Sequence, residues 1–134
     1  MTRRELRDSV FKILFRVEFY DEKELTEQLE LFGEELDHIK DHEVDMVTER
    51  FQDVYSHLPE IDEAINGAAK GWKTSRMGKV DLAIIRLAVY EILFDDDIPF
   101  KVAVNEAVEL AKKYGTNESS SFVNGVLAKF EKNE

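Results

Sequence analysis

The chain has 134 residues, of which 43% are hydrophobic, and its formal net charge is −11. This length predicts one domain with a core of its own, and the apolar content argues against wholesale disorder. The lack of cysteine excludes disulfides and thiolate metal sites, and no stretch resembles a membrane span or a signal peptide, so we expect a cytoplasmic protein.

The acidic residues are concentrated in the middle of the chain. Residues 1–20 contain five bases and three acids, residues 21–66 contain three bases and sixteen acids, and residues 67–134 contain ten of each. A polyanion should therefore be repelled by most of this surface and tolerated near the amino terminus.

Helical periodicity runs through the chain, and no alternating pattern of strand length interrupts it. Thr2 and Glu5 have the spacing of a capping box at the start of the first helix. That helix carries an aliphatic stripe and, beside it, the aromatic stripe Phe11, Phe15 and Phe19. Hydrophobic residues on two faces indicate a helix that is either central or partly covered by a partner.

Three further helices are predicted in the acidic half. The second is short and ends near Gly33, and the third is capped by Asp41 and stopped by Pro59. The fourth begins at about Glu60, and its apolar spacing extends to Trp72. A glycine-containing loop is expected to follow.

The pattern in the last part of the chain predicts three helices joined by very short connections. They are expected over residues 79–94, over 100–114 with Gly115 at the end, and from Asn117 or Glu118 to about Phe130, with a turn at 95–99. The chain is therefore predicted to be a compact all-α bundle.

Four residues within these helices suggest structural roles. Asn105 and Asn124 lie in apolar surroundings, so we expect a buried amide network. Gly125 predicts the close approach of a neighbouring helix, and Arg86 predicts a bridge between helices through an Asp or Glu partner.

No catalytic motif is present, and we predict neither an enzyme nor a cofactor. His38 and His42 have a spacing that can hold a metal, but a solvated pair is the favoured interpretation and no metal site is predicted. The many carboxylates of the middle segment are better explained by solvation than by acid–base chemistry.

A cluster of arginines opens the first helix. Arg3 and Arg7 share a helix face and Arg4 is adjacent. Guanidinium groups bind phosphates in bidentate fashion and stack on bases, so these residues are candidates for RNA contact. Charged amino termini are common, however, so the cluster alone leaves both interpretations open.

The junction between the last two helices is a second candidate. A helix amino terminus offers free amides to a phosphate, and Ser119, Ser120 and Ser121 add hydroxyl groups. Phe122 could stack on an unpaired base, or it could pack in the core with Val126 and Phe130. The spacing does not decide between these roles.

The second half of the chain contains a long ordered series of short motifs. They are VD at 80–81, IRLA at 85–88, YE at 90–91, IP at 98–99, KV at 101–102, NEAVELAK at 105–112, Gly115 and FVNGVL at 122–127. This series closely resembles the NusB family of bacterial transcription antitermination factors. The resemblance is strongest over residues 72–128, looser over 1–20, and limited to the helical pattern over 21–60.

This resemblance implies a NusB-like bundle of about seven helices in two small subdomains around a long first helix, within a single RNA-binding domain spanning residues 1–134. It also implies a non-enzymatic factor that binds boxA, a short single-stranded element of nascent transcripts, together with the ribosomal small-subunit protein NusE. With other Nus factors and RNA polymerase, this pair would suppress termination, chiefly on ribosomal RNA operons. The corresponding RNA-binding positions are Arg3, Arg4, Arg7, Glu118, Ser119, Ser121 and Phe122.

The resemblance also implies a NusE surface formed by Phe15, Phe19 and Asp81, with Arg76 nearby. Many relatives have a basic residue at the position of Ser121, so its absence predicts weaker and less salt-sensitive RNA binding. Relatives often have tyrosine at the position of Phe15, so one hydroxyl contact is expected to be lost.

Two alternatives stay open. The chain could be a homodimeric scaffold that buries its first helix against a second copy. It could also be an RNA-binding module related to those of RNA methyltransferases, although it ends where a catalytic domain would have to begin.

Overall fold

The computed structural model of the protein describes residues 1–35 and 41–131, apart from the side chains at positions 22, 29, 32–35 and 41. These residues form seven α-helices and no strand, which confirms the all-α prediction. The helices are α1 (Arg3–Arg16), α2 (Glu22–Glu35), α3 (Asp41–Ser56), α4 (Leu58–Ala68), α5 (Lys79–Phe94), α6 (Phe100–Tyr114) and α7 (Ser119–Ala128), with a single-turn 3₁₀ helix at Thr74–Arg76 between α4 and α5.

The chain divides into two compact units. The first, Met1–Tyr55, contains α1, α2 and α3, and the second, Ser56–Glu134, contains α4 to α7. The first unit has eight bases and sixteen acids, and the second has ten bases and thirteen acids. Most of the negative charge therefore belongs to the first unit.

The predicted stripes of α1 are only partly correct. Val10, Ile13 and Leu14 are buried with Phe11, as a core-facing helix side requires. The helix ends at Arg16, however, so Phe19 lies in the turn that follows and is 55% exposed. The aromatic stripe is therefore buried at Phe11 but lies outside the core at Phe19.

Two helix ends in the acidic half lie within three residues of their predicted positions. The second helix continues through Gly33 to Glu35, since an isolated glycine lowers helix stability by about 1 kcal/mol without ending the helix. The third helix ends at Ser56, before Pro59. The proline lies in the first turn of α4, where its missing N–H costs no hydrogen bond.

The fourth helix is shorter than its apolar spacing predicted. It ends at Ala68, and the chain then turns through Gly71, whose φ of +85° is a conformation that favours glycine. Trp72 therefore lies in the connection to α5 rather than on a helix, and it is 57% exposed.

The central helix of the second unit is α5. Its bounds and those of α6 agree with the predictions, while α7 begins one or two residues later than expected. Every residue from Leu82 to Glu91 is buried. Within its unit the helix packs against α4, α6 and α7, as expected of a helix that is apolar on all sides.

One buried charge on this helix has the predicted partner. Arg86 is 8% exposed, and its Nε and one terminal nitrogen donate to the two carboxylate oxygens of Asp62 on α4, at 2.9 and 2.8 Å. This bidentate geometry is the strongest form of such a pair, and it joins the first helix of the unit to its centre.

Three other predictions for the second unit are wrong. Asn105 and Asn124 are exposed, because α6 and α7 turn their alanine and aliphatic residues inward and leave these amides on the outer face. Gly125 is also exposed, and a Cβ added there would meet no atom within 4 Å. No close helix approach explains this glycine.

Asp62→Ala should lower the free energy of unfolding by about 1–3 kcal/mol, because it removes the carboxylate that pairs with a buried guanidinium. The expected loss is below that of a fully buried pair because the Asp62 side chain is 27% exposed. Urea denaturation followed by circular dichroism measures it. Glu63→Ala, on the exposed side of the same helix, is the control and should change stability by less than about 0.5 kcal/mol. Equal effects of the two substitutions would contradict this role of the ion pair.

Candidate nucleic-acid interface

The start of α1 is held in a defined conformation by local interactions. The predicted capping box is present: the Glu5 amide donates to Thr2 Oγ1, and the Thr2 amide donates to Glu5 Oε1, both at 3.1 Å. The amino group of Met1 also pairs with Glu43 of α3 at 2.6 Å. The arginines that follow therefore project from an ordered helix end rather than from a loose terminus.

The hydrogen bond from the Thr2 amide, followed by that from its side chain, lowers the pKa of Glu5 below its ordinary value. A depressed folded-state pKa means that the stabilisation is fully present above the unfolded-state pKa. It is lost as the pH falls through the folded-state pKa. The cap is therefore intact at neutral pH.

The three predicted arginines are not equivalent. Arg3 and Arg4 are exposed, whereas Arg7 is 8% exposed and faces the interior side of α1. Both Arg4 and Arg7 have interaction partners within the chain. Arg3 and Arg4 are thus the guanidinium groups that α1 presents most openly to solvent.

The junction between α6 and α7 is a tight turn built around Ser119. The Ser119 hydroxyl accepts a hydrogen bond from the Thr116 amide at 2.9 Å, and the residue is 3% exposed. Gly115 ends α6 with extended backbone angles, φ −94° and ψ −167°. A Cβ on this glycine would lie 2.5 Å from Ser119 Cβ and 2.8 Å from the Ala111 carbonyl oxygen, so the turn closes only around glycine.

The other predicted residues of this junction face outward to different degrees. Glu118 is exposed at the N-cap position of α7, and Ser121 is exposed in its first turn. Phe122 is half-buried. The four residues therefore share one helix end, where Ser119 forms the turn and the other three line its surface.

Trp72 meets Phe122 at this helix end. Their ring centroids are 5.5 Å apart with an interplanar angle of 71°, which is a favourable edge-to-face arrangement. Phe122 is thus neither fully in the core nor isolated on the surface. We call Trp72 and Phe122 the aromatic pair.

Trp72 is a candidate site residue that the sequence did not predict. Its spacing from Ile61 and Ile65 placed it on the fourth helix, which concealed its position in a loop. The signal that could have revealed it is local: the lone tryptophan of the chain follows Gly71 and lies between Lys70 and Lys73. An aromatic residue flanked by cations in a loop is typical of single-strand binding surfaces.

The residues predicted to bind a protein partner are accessible in both units. In the first unit, Phe15 is half-buried and Phe19 is exposed, with their ring centroids 5.2 Å apart at 62°. In the second unit, Arg76 is exposed in the 3₁₀ helix and Asp81 is half-exposed in the first turn of α5. Phe19 therefore does not belong to the core of its unit.

Other classes of site find little support in the described part of the chain. His42 is exposed on α3, and His38 lies outside the described residues. Residues 1–35 and 41–131 contain no group of three or more His, Cys, Asp or Glu side chains that could hold a metal ion. Over the same ranges, no helix combines the length and the apolar character needed to cross a bilayer.

Comparison with known proteins identifies close relatives along nearly the whole chain. A model of the NusB family matches residues 4–132. The transcription antitermination protein NusB of Agathobacter rectalis is 60% identical over 130 residues, which cover 97% of this chain and 99% of that protein. The structure is also similar to that of T. maritima NusB, with a TM-score of 0.82 and 36% identity over 97% of this chain and 90% of the other.

A third similar protein is a chain in the crystal structure of a plectonemic RNA supercoil. Its TM-score is 0.80 and its identity is 28%, over 96% of this chain and 92% of that one.

Gly115→Ala should lower the free energy of unfolding by about 1–3 kcal/mol, because the added methyl group overlaps Ser119 and the Ala111 carbonyl. Thermal and urea denaturation measure the change. The control is Gly67→Ala on α4, where a Cβ meets nothing within 4 Å and alanine should raise stability by about 0.5–1 kcal/mol. If both substitutions stabilise the protein, the α6–α7 turn does not depend on glycine.

Proposed function

The chain belongs to the NusB family of non-enzymatic transcription antitermination factors, and we propose that it binds boxA RNA in nascent transcripts together with NusE. In this proposal residues 1–134 act as one RNA-binding domain in the bacterial cytoplasm. The protein and NusE join RNA polymerase and the other Nus factors, and the resulting complex resists termination, chiefly on ribosomal RNA operons.

The observation that carries the RNA-binding proposal is the accessible aromatic pair at the amino end of α7. Unpaired bases are commonly held by stacking on aromatic side chains, and each stacked base contributes about 1–3 kcal/mol. Trp72 exposes more than half of its surface, and Phe122 supports it edge to face. A single-stranded element such as boxA offers the unpaired bases that this surface suits.

Polar groups beside the aromatic pair complete the proposed contact. Ser121 can donate a hydroxyl hydrogen to a phosphate or a base, while the Glu118 carboxylate can accept from an exocyclic amino group. We assign to Ser119 an indirect role: its buried hydroxyl holds the turn from which these residues project.

Arginines of α1 supply positive charge in the proposal. Arg3 and Arg4 are exposed on a capped helix end and can neutralise phosphates, with Arg7 supporting them from its more buried position. Since the whole protein carries a net charge of −11, such local cations have to offset a general repulsion of RNA. This balance favours weak binding by the protein alone, and in the proposal NusE supplies the remaining affinity.

The proposed NusE contact uses the exposed aromatic side chain of the first unit. Phe19 is a large apolar group outside any core, packed only partly by Phe15, and such residues often dominate protein interfaces. Arg76 and Asp81 add charges of both signs from the second unit. The same exposure of Phe19 fits a homodimer, which is the second candidate.

Wild-type protein should bind a boxA oligonucleotide more tightly than a scrambled one, and binding should quench the fluorescence of Trp72, the single tryptophan of the chain. Phe122→Leu should weaken boxA binding about tenfold, because it removes one of the two rings of the aromatic pair. Titrations of both RNAs by tryptophan fluorescence and by anisotropy of labelled RNA measure these effects, with and without NusE.

Phe94→Leu is the matched control, since Phe94 is partly exposed at the carboxyl end of α5 and should leave RNA affinity unchanged. Equal affinity for boxA and scrambled RNA, with and without NusE, would reduce the function to general RNA contact. If Phe122→Leu binds boxA with wild-type affinity, the aromatic pair is not part of the RNA interface.

Phe19→Ala should weaken NusE binding about tenfold or more, because it removes an exposed anchor side chain. Isothermal titration calorimetry with purified NusE measures this loss. Leu31→Ala, on the exposed side of α2, controls for the loss of exposed apolar surface and should bind NusE normally. Light scattering on the same samples detects dimers: self-association that depends on Phe19, together with no NusE binding, would favour the homodimeric scaffold.

A further inference from the structure

The connection between α4 and α5 is the most basic short segment of the chain. Residues 70–79 read KGWKTSRMGK and contain four bases and no acid, whereas residues 1–20 contain five bases and three acids. We call residues 70–76, with the lysines at both sides of Trp72, the cationic connection. Its charge stands out in a protein whose net charge is −11.

The backbone of the cationic connection has a defined conformation. The Trp72 amide donates to the Ala69 carbonyl at 2.9 Å, and the Thr74 amide donates to Asn66 Oδ1 of α4 at 2.8 Å. A 3₁₀ turn then closes with a bond from the Arg76 amide to the Lys73 carbonyl at 2.8 Å. The lysine side chains therefore start from fixed points of the backbone, which lowers the entropy lost on binding.

Lys70 and Lys73 are exposed, and neither takes part in an ion pair with any of the described residues. They flank Trp72 in the chain, and the ring of Trp72 contacts Phe122, the neighbour of Ser121. The segment itself carries no carboxylate. On α7 the exposed Glu118 lies one turn before Phe122, and on α4 Asp62 is already paired with Arg86.

We infer that Lys70 and Lys73 bind the phosphates on either side of the base held by the aromatic pair, so that the cationic connection forms a second contact for single-stranded RNA. This inference rests on the proposed RNA-binding function and adds a site to it. The ligand is the sugar–phosphate backbone, because two separated cations around an aromatic ring match the alternation of phosphate and base along a single strand.

The cationic connection also changes the expectation for Ser121. The missing basic residue at that position predicted a weak and less salt-sensitive interaction. Lys70 and Lys73 restore positive charge from the other side of the aromatic pair, so the salt dependence should reflect them. Each phosphate contact to a single strand contributes about 0.7 to the slope of log K against log salt.

The test is the double substitution Lys70→Gln and Lys73→Gln, measured with boxA and scrambled oligonucleotides over a salt series. The slope should become shallower by about 1.4. Over the tenfold range from about 1 M to about 0.1 M salt, two phosphate contacts contribute a factor of roughly 25 to the affinity, so the affinity at about 0.1 M salt should fall by that factor. Since phosphate contacts carry no sequence information, both RNAs should show the same change in slope. Arg76 stays unchanged, which keeps the proposed NusE surface intact.

Lys101→Gln with Lys129→Gln is the matched control. It removes the same charge from exposed positions at the start of α6 and after the end of α7, and it should alter the slope by much less. Urea midpoints of both double variants establish that the fold is unchanged.

The inference is overturned if the slope of log K against log salt is the same in Lys70→Gln/Lys73→Gln as in the control variant. This holds whatever the preference for boxA. Failure of the proposed function has a different signature, namely equal affinity of the wild type for boxA and scrambled RNA. The lysine effect on the slope can be read from either RNA in that case.

Discussion

The burial of α5 on all sides is the constraint on which the second unit depends. Ten consecutive buried residues leave this helix no polar face, so α4, α6 and α7 have to cover it, and the one guanidinium it carries inward needs the carboxylate of Asp62. The candidate binding residues are consequently displaced from the centre of the helix. They occur at its first turn, in the connection before it, and at the junction of the helices packed against it.

This arrangement explains why the candidate RNA-binding residues of the second unit lie on short connections. The α4–α5 connection and the α6–α7 turn are separate in sequence, but the aromatic pair joins them. Each connection is fixed by its own device: a side-chain amide of α4 for one, and a buried serine hydroxyl beside an obligatory glycine for the other. A surface built in this way is rigid without being part of the core, which favours binding of a flexible single strand.

The sequence predicted α5 and α6 to the residue because their ends carry unambiguous signals, Pro99 and Gly115 among them. It failed where one signal has two meanings. Pro59 can stop one helix or open the next, and the spacing of Trp72 from Ile65 fits a helix that had already ended. Asn124 and Gly125 show a related limit, since periodicity gives the faces of a helix but not how much of α7 its neighbours cover. The role of Ser119 depends on a hydrogen bond within a turn, which no residue pattern reports.

The charge pattern was also hard to interpret, because it was averaged over a long segment. Averaged over residues 67–134 the bases and acids balance, and that average concealed a ten-residue segment with four bases and no acid. Electrostatic attraction between exposed charges decays over about 8–10 Å at physiological salt, so an RNA phosphate responds to the cations within that distance far more than to the net charge of the protein. The acidic surface elsewhere then mainly disfavours RNA binding outside these cationic positions. A protein with a net charge of −11 can in this way restrict RNA to a few cationic positions, with a protein partner supplying the remaining affinity.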